Sequence, residues 1–320
     1  MGERQALAAA GKLEGLKRSV AAVIHGKPEA IDLVIAALLA RGHVLIEDIP
    51  GVGKTTLAQA LARSLNLAFS RIQFTSDTLP SDVIGISLWR PERGEFEFLP
   101  GPLFTNVLLA DEINRATPKT QAALLEAMNE RAVTVETSRY ALREPFLVLA
   151  TQNPVEYLGT YPLPEAQLDR FLFRVSLGYP AREVELELLR RGGVEEELER
   201  VQPVLEAGEV VELQRAVRRV KVAPVLLDYM LTLVHRTRAH AGVALGVSTR
   251  GALGLHRASQ AMALLENRDY VIPDDVVRVA VAVMAHRIVL AGAEAAEGWS
   301  RSEAERAVIT EIVRSTPVPL

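Results

Sequence analysis

The sequence contains no cysteine, and this absence is the first limit on what the protein can do. Without thiols, disulfide bridges, thiol nucleophiles and cysteine-ligated metals are all excluded. An excess of positive charge is missing too, because 36 Lys and Arg residues face 40 Asp and Glu residues, for a net charge of −4. A protein dedicated to a nucleic-acid backbone is therefore disfavoured, although a local basic groove could be hidden in that average.

Long apolar runs are also missing. The longest, 31–40, is interrupted by Asp32 and has roughly half the length that a membrane span needs. The N-terminal segment carries scattered charges and lacks the apolar stretch of a secretion signal. We therefore expect a cytoplasmic protein with no membrane insertion.

The remaining composition is that of an ordinary globular protein, and its pattern changes along the chain. About 100–200 residues per domain predicts two domains in 320 residues. Residues 1–180 alternate buried apolar runs with helical periodicity, which indicates an α/β fold with a parallel sheet covered on both faces. Residues 181–320 are almost entirely helical in pattern. We place the boundary between the two domains near 178–180.

The pattern also predicts individual elements. Two inserts with alternating patterns are typical of hairpins: one at 86–98, within an insert of about 80–101, and one at 132–142. The predicted strands are 43–48, 68–74, 107–111, 146–151 and 171–177, and the predicted helices of the second half are 182–199, 209–219, 224–241, 250–266, 274–290 and 301–314.

A glycine-containing loop between the first strand and its helix predicts a phosphate site. The loop consists of Pro50, Gly51, Val52, Gly53, Lys54, Thr55 and Thr56. Such a loop curls its backbone N–H groups around a phosphate at a helix N-terminus. Lys54 is placed to bridge the β- and γ-phosphates, and the Thr55 hydroxyl to ligate Mg²⁺. One residue departs from the motif, because Asp48 stands where its first glycine is expected.

Two carboxylates end the strand at 107–111. Asp111 would complete the Mg²⁺ site, and Glu112 would polarise an attacking water. Because carboxyl ends of parallel strands share one edge, both side chains are expected beside the phosphate loop. The second carboxylate favours hydrolysis of the nucleotide over mere binding.

Two further polar positions follow. Asn153, at the end of the fourth strand, could orient the water or contact the γ-phosphate, or it could simply form an Asn-Pro turn. Arg170 immediately precedes the last strand. It could pair with Asp169 or Glu165 at the surface, or it could stabilise a transferring phosphoryl group as an arginine finger.

Taken in order, these motifs resemble those of the AAA+ ATPases and, more narrowly, the MoxR family. The resemblance is carried by five segments, IEDIPGVGKTTLAQALA, RIQFTSDTLPSDVIG, GPLFTNVLLADEINRATPKTQAALLEAMNERAVTV, ATQNPVEYLGTYPLPEAQLDRF and RDYVIPDDV. Members of that family often carry an acidic residue at the position of Asp48, so we expect nucleotide binding to be retained.

The resemblance implies an ATP- and Mg²⁺-dependent ring, usually a hexamer, in which a P-loop core precedes an all-helical lid. It makes Asn153 the first sensor, Arg250 the second sensor near the γ-phosphate, and Arg170 the finger offered to a neighbouring subunit. Arg115 is a second interface candidate. The 86–98 hairpin would face the pore.

Relatives of that family act as chaperones on protein partners with von Willebrand factor A domains, in maturation or metal-cofactor insertion. A nucleic-acid-associated motor is the alternative function, and a non-hydrolysing nucleotide-dependent scaffold is another, which Glu112 argues against. Trp89 and the phenylalanines of the hairpin could grip a substrate or pack within the hairpin.

Overall fold

The computed structural model describes residues 3–153, 159–292 and 300–319, with side chains described from residue 11 onward. Pro154 and Tyr157, which belong to the segment that follows Asn153 in the sequence-based prediction, lie outside these ranges. In chain order, the first half contains α1 (Glu3–Ala21), α2 (Pro28–Leu39), β1 (Val44–Glu47), α3 (Lys54–Ser64), β2 (Phe69–Gln73), α4 (Pro80–Ile84), β3 (Gly85–Arg90), β4 (Glu95–Pro100), β5 (Val107–Asp111), α5 (Pro118–Glu130), β6 (Ala132–Val135), β7 (Ser138–Ala141), β8 (Leu147–Gln152), α6 (Glu165–Leu168) and β9 (Phe173–Val175).

The second half is helical apart from one small ribbon. It contains α7 (Arg182–Arg191), α8 (Glu195–Arg200), α9 (Ala207–Val217), α10 (Pro224–Ala239), β10 (Val243–Leu245), α11 (Thr249–Leu265), α12 (Pro273–Met284), β11 (Val289–Leu290) and α13 (Arg301–Ser315). An α/β core followed by a helical C-terminal half confirms the predicted fold class.

Five strands form a parallel sheet in the order β2-β5-β8-β1-β9. Their side chains alternate between two apolar clusters, as the period of a strand requires. Val44 and Ile46 of β1 belong to one cluster, whereas Leu45 belongs to the other. The first cluster also includes side chains of α2, α11 and α12, so the helical half packs directly on one face of the core.

Local signals set the ends of the helices. Pro28, Pro118, Pro224 and Pro273 each occupy a first-turn position, where their missing N–H costs no hydrogen bond. The Ser248 hydroxyl accepts a hydrogen bond from the Gly251 amide and so begins α11. This cap fixes the direction in which α11 presents the side chains of its first turn.

Two hairpins project from the core. The first pairs β3 with β4, with Trp89 opposite Phe96, over the region where a hairpin was predicted at 86–98. The second pairs β6 with β7. Both regions were predicted as hairpins from alternation alone.

Two predictions about helices are wrong. The helix predicted at 182–199 is divided into α7 and α8, because Gly192 and Gly193 have positive φ values of 78° and 133°. The helix predicted at 274–290 ends at Met284, and β11 pairs antiparallel with β10. Strands of two and three residues are too short to show an alternating pattern.

Candidate functional site

The carboxyl ends of three neighbouring strands and one helix N-terminus surround a cavity of about 390 Å³. The phosphate loop lies between β1 and α3, where Gly51 and Gly53 have φ values of 84° and 90°. These left-handed conformations curl the loop as the sequence predicted. The cavity is lined by Pro50, Gly51, Gly53, Lys54, Thr55, Thr56, Arg71, Gln73, Asp111, Glu112 and Asn153.

Lys54 lies at the first position of α3, and its Nζ donates to the main-chain oxygen of Asp48 at 2.9 Å. Partial burial lowers the pKa of Lys54, while the carboxylates of Asp111, Asp48 and Glu112 oppose that shift. The ammonium is therefore held inside the loop by a carbonyl, which leaves its charge available to an anion.

Asp48, the residue that departs from the glycine motif, has a structural explanation. Its buried carboxylate accepts hydrogen bonds from the amides of Leu177 at 2.5 Å and Gly178 at 2.7 Å, and from the Ser176 hydroxyl at 3.2 Å. The same side chain accepts from the amide of Ile49 at 3.0 Å. Asp48 thus joins the start of the phosphate loop to the segment that leads into the helical half.

The two carboxylates differ in their surroundings. Asp111 accepts a hydrogen bond from the Thr151 hydroxyl at 2.6 Å and forms an ion pair with Arg71 at 2.6 Å. Glu112 has a positive φ of 56°, and its Oε2 accepts from Gln73 at 2.9 Å and from Arg115 at 3.0 Å. Each carboxylate is thus held by one neutral and one basic donor, and both line the cavity beside the phosphate loop.

Arg71, Gln73 and Thr151 were not singled out from the sequence. Arg71 and Gln73 lie two residues apart on β2, and the register places Gln73 opposite Asp111. Their alternation on one strand was visible in the sequence, but the pairing of β2 with β5 was not. Arg115, which we considered as an interface residue, contacts Glu112 of its own chain.

Asn153 is buried and lines the same cavity, as expected for a residue at the end of β8. The donor set there comprises an ammonium, a threonine hydroxyl, a carboxylate and a helix N-terminus. These groups fit a nucleoside triphosphate with a divalent cation, since anions bind at helix N-termini and Mg²⁺ prefers oxygen ligands.

Arg170 and Arg250 lie elsewhere, together, in a second cavity of about 230 Å³. Arg170 precedes β9 and Arg250 lies in the first turn of α11. Neither residue is among those that line the phosphate-loop cavity. The structure therefore separates Arg250 from the γ-phosphate position of its own loop and groups it with Arg170. The second cavity is lined by Ala40, Arg41, Gly42, His43, Met128, Asn129, Arg131, Asp169, Arg170, Leu172, Arg250, Arg257 and Arg287.

The two cavities lie at opposite ends of the strands of the sheet. Gly42 and His43 precede β1 and line the arginine cavity, whereas the phosphate loop follows β1. β1 has four residues, which at about 3.3 Å per residue separate the two ends by about 13 Å before the loops are counted. One chain therefore carries both kinds of site without joining them.

Comparison with known proteins agrees with this architecture. Two family models match the chain: ATPase family associated with various cellular activities (AAA) over residues 43–173, and AAA lid domain over residues 235–312. A crystal structure of a candidate ATPase from Cytophaga hutchinsonii superposes with a TM-score of 0.90 at 40% sequence identity, covering 99% of this chain and 98% of that one. Fold and motifs together define an AAA+ protein with a helical lid.

Sequence relatives narrow the family. The chain is 50% identical to uncharacterized protein YeaC of Bacillus subtilis, covering 93% of this chain and 92% of that protein. It is 44% identical to chaperone MoxR1 of Mycobacterium tuberculosis, covering 84% and 73%. It is 33% identical to protein MoxR of Methylorubrum extorquens, covering 95% and 94%. The chain belongs to the MoxR family of AAA+ ATPases, as its motifs indicated.

Proposed function

We propose that this protein hydrolyses ATP to ADP and phosphate as one subunit of a homo-oligomeric ring, which we expect to be a hexamer. The observation that carries the proposal is the separation of the phosphate loop and the arginine cavity by the length of β1. A hydrolytic site that needs both can be assembled only when one chain offers its arginines to the phosphate loop of the next.

Each residue of the phosphate-loop cavity has a role in this proposal. The backbone of Pro50–Thr56 and the ammonium of Lys54 bind the phosphates, and Thr55 with Asp111 would hold Mg²⁺, which neutralises phosphate charge. Glu112 accepts a proton from the attacking water, and Asn153 orients that water. Arg170 and Arg250 of the neighbouring subunit stabilise the charge on the transferring phosphoryl group.

We propose further that hydrolysis drives remodelling of a protein partner in the cytoplasm. The hairpin supports this, because Trp89 and Phe96 at its tip are 48% and 62% exposed, with ring centroids 5.0 Å apart. An exposed aromatic pair on a projecting hairpin suits contact with another protein. A maturation or metal-insertion task on a partner with a von Willebrand factor A domain fits the family.

A nucleic-acid motor is the alternative, and the charges on the hairpin disfavour it. Arg90 forms an ion pair with Glu97, and Arg93 lies 3.9 Å from Glu95. Both arginines are thus offset by carboxylates of β4, which leaves little positive charge for phosphates. Among the described residues, no helix combines the length and the apolar character needed to cross a membrane.

A phosphate-release assay on purified variants tests the proposed activity. Lys54→Ala should lose ATP binding, and Glu112→Gln should keep ATP while turnover falls by about 100-fold or more. Lys119→Ala, which removes an exposed lysine of α5, is the matched control and should keep wild-type turnover. Wild-type turnover in both site variants would contradict the proposal. Stimulation by DNA that declines steeply with salt would instead favour the motor.

A further inference from the structure

The arginine cavity carries more positive charge than Arg170 and Arg250 alone. Five guanidinium groups, those of Arg41, Arg131, Arg170, Arg250 and Arg257, line it together with the buried Arg287. Burial, followed by the positive charge of Arg41, lowers the pKa of Arg131 to about 10. Glu144 pairs with Arg41 and lies 4.0 Å from Arg131, so it offsets part of that charge. Arg170, Arg250 and Arg257 have no carboxylate partner among the described ion pairs, and three such guanidinium groups around one cavity suit an anion.

Asp169, which precedes Arg170 in the sequence, is paired with a different arginine. Asp169 Oδ1 accepts from Arg287 Nε at 2.7 Å, and Oδ2 accepts from the Ser248 hydroxyl at 3.0 Å. Both donors belong to the helical half, so Asp169 joins the finger segment to the lid. Its charge is committed to the buried guanidinium of Arg287, which leaves Arg170 without a carboxylate among the described ion pairs.

Arg170 is instead held by a neutral group. In the amide orientation that satisfies its surroundings, the side-chain oxygen of Asn129 accepts from Arg170 Nη1 at 3.0 Å and from Nε at 3.2 Å. An amide oxygen orients a guanidinium without cancelling its charge, unlike a carboxylate. The finger is therefore positioned in the free chain and remains available to an incoming anion.

Like Arg170, Arg257 is available to an incoming anion. It lies two helical turns after Arg250 on α11 and lines the same cavity, so both arginines project from one face of the helix. Its Nε donates only a long hydrogen bond to the Leu253 carbonyl at 3.3 Å, and no carboxylate pairs with it among the described residues. Burial, then Arg218 and Arg250, lower the pKa of Arg257.

We propose that Arg257 is a third guanidinium that contacts the phosphates of the nucleotide bound by the neighbouring subunit, beside Arg170 and Arg250. The inference rests on the proposed function, because the anion in question is the neighbour's ATP. Arg257 would add a residue of the lid to the hydrolytic site of the neighbouring subunit. Because the Asp169–Arg287 pair joins the lid to the segment that carries Arg170, the lid becomes part of the surface that contacts that site. The position of the lid then determines how many arginine side chains contact the phosphates.

Mixing experiments test this assignment. Arg257→Ala keeps an intact hydrolytic site beside its phosphate loop but has an incomplete arginine cavity. Glu112→Gln keeps a complete arginine cavity but has an inactive hydrolytic site. We expect Arg257→Ala rings to bind a fluorescent ATP analogue normally and to hydrolyse ATP about 10-fold more slowly or worse. Adding Glu112→Gln subunits should restore part of that activity. Arg215→Ala, which removes a lid arginine paired with Glu212 at the surface, should leave activity unchanged.

Several results would overturn the assignment. Wild-type turnover in Arg257→Ala rings would do so, as would a failure to recover in rings that native mass spectrometry shows to be mixed. Arg257→Gln, which keeps a long polar side chain, is measured alongside. Loss in the alanine variant with full activity in the glutamine variant would show a packing role and would also overturn it.

A parallel mixture of Arg170→Ala with Glu112→Gln separates this inference from the proposed function. Recovery in the Arg170 mixture without recovery in the Arg257 mixture would refute the role of Arg257 alone. If neither mixed ring recovers, the arrangement across subunits is wrong and the role of Arg257 is refuted with it.

Discussion

The buried ion pair between Asp169 and Arg287 should hold the lid on the core, and its strength can be measured. The Arg287 side chain is 3% exposed and that of Asp169 is 18% exposed, with Nε and Oδ1 2.7 Å apart. Burial lowers the pKa of Arg287 to about 10, against the opposing charge of Asp169, so the guanidinium stays charged at neutral pH. Replacing the carboxylate would leave that charge buried without its counterion.

Removing one partner of a buried ion pair costs about 3–5 kcal/mol. Asp169→Asn should fall at the lower end, about 3 kcal/mol, because Arg287 keeps the carbonyls of Phe171 at 2.5 Å and Leu172 at 3.2 Å. A loss of about 3 kcal/mol lowers the ratio of folded to unfolded protein by a factor of about 150.

Urea unfolding followed by circular dichroism measures this loss against a matched control. Glu212→Gln breaks an ion pair whose side chains are about two-thirds exposed, so it should cost less than about 1 kcal/mol. If Asp169→Asn and Glu212→Gln shift the unfolding midpoint equally, the buried pair does not join the two halves and our reasoning about the lid is wrong.

Two further predictions concern pH and the hairpin. Desolvation lowers the pKa of buried His43 from 6.5 to about 4, so as pH falls from about 6.5 toward 4 the unfolded chain takes up a proton that the folded chain excludes. Stability should therefore fall by about 2.4 kcal/mol more between pH 7 and 4.5 than in His43→Gln, measured by urea unfolding at both pH values; equal losses would contradict this prediction. In the hairpin, a Cβ at Gly85, where φ is 109°, would lie 2.2 Å from the Leu99 oxygen, so Gly85→Ala should lower the thermal midpoint and expose the hairpin to proteolysis. Gly94→Ala, at a turn with open space around it, is the control, and equal behaviour of the two variants would refute the steric argument.

The parts of the site that could be predicted from the sequence are those formed by contiguous residues. A phosphate loop is a strand, a short turn and a helix N-terminus, so the residues from Pro50 to Thr56 identify it locally. Asp111 and Glu112 are similar, because an apolar strand that ends in acidic residues brings them to the sheet edge. These positions needed no knowledge of which strands are neighbours.

The remaining contacts depend on pairings that no local pattern reveals. Gln73 reaches Glu112 because β2 pairs with β5, and three of the four hydrogen bonds to the Asp48 side chain depend on the chain returning at 176–178. The arginine cavity collects residues from the turn between α2 and β1, from the end of α5, from the segment before β9, from α11 and from the turn after α12. Arg170 lies more than 70 positions before Arg250 and Arg257 in the sequence, so spacing alone could not show that the three share one cavity.

Arg170 provides the most direct test of the central claim, which is that one chain completes the active site of the next. Arg170→Ala rings should bind ATP and hydrolyse it very slowly, since an arginine finger can supply a factor of about 10³–10⁵. Glu112→Gln rings should be equally slow for a different reason. ATPase activity is measured across a series of mixing ratios, with native mass spectrometry to confirm that subunits exchange. If Arg170 acts across the subunit boundary, activity should rise above both parent variants and peak at intermediate ratios. Activity that stays at the level of the parents in confirmed mixed rings would contradict the central claim.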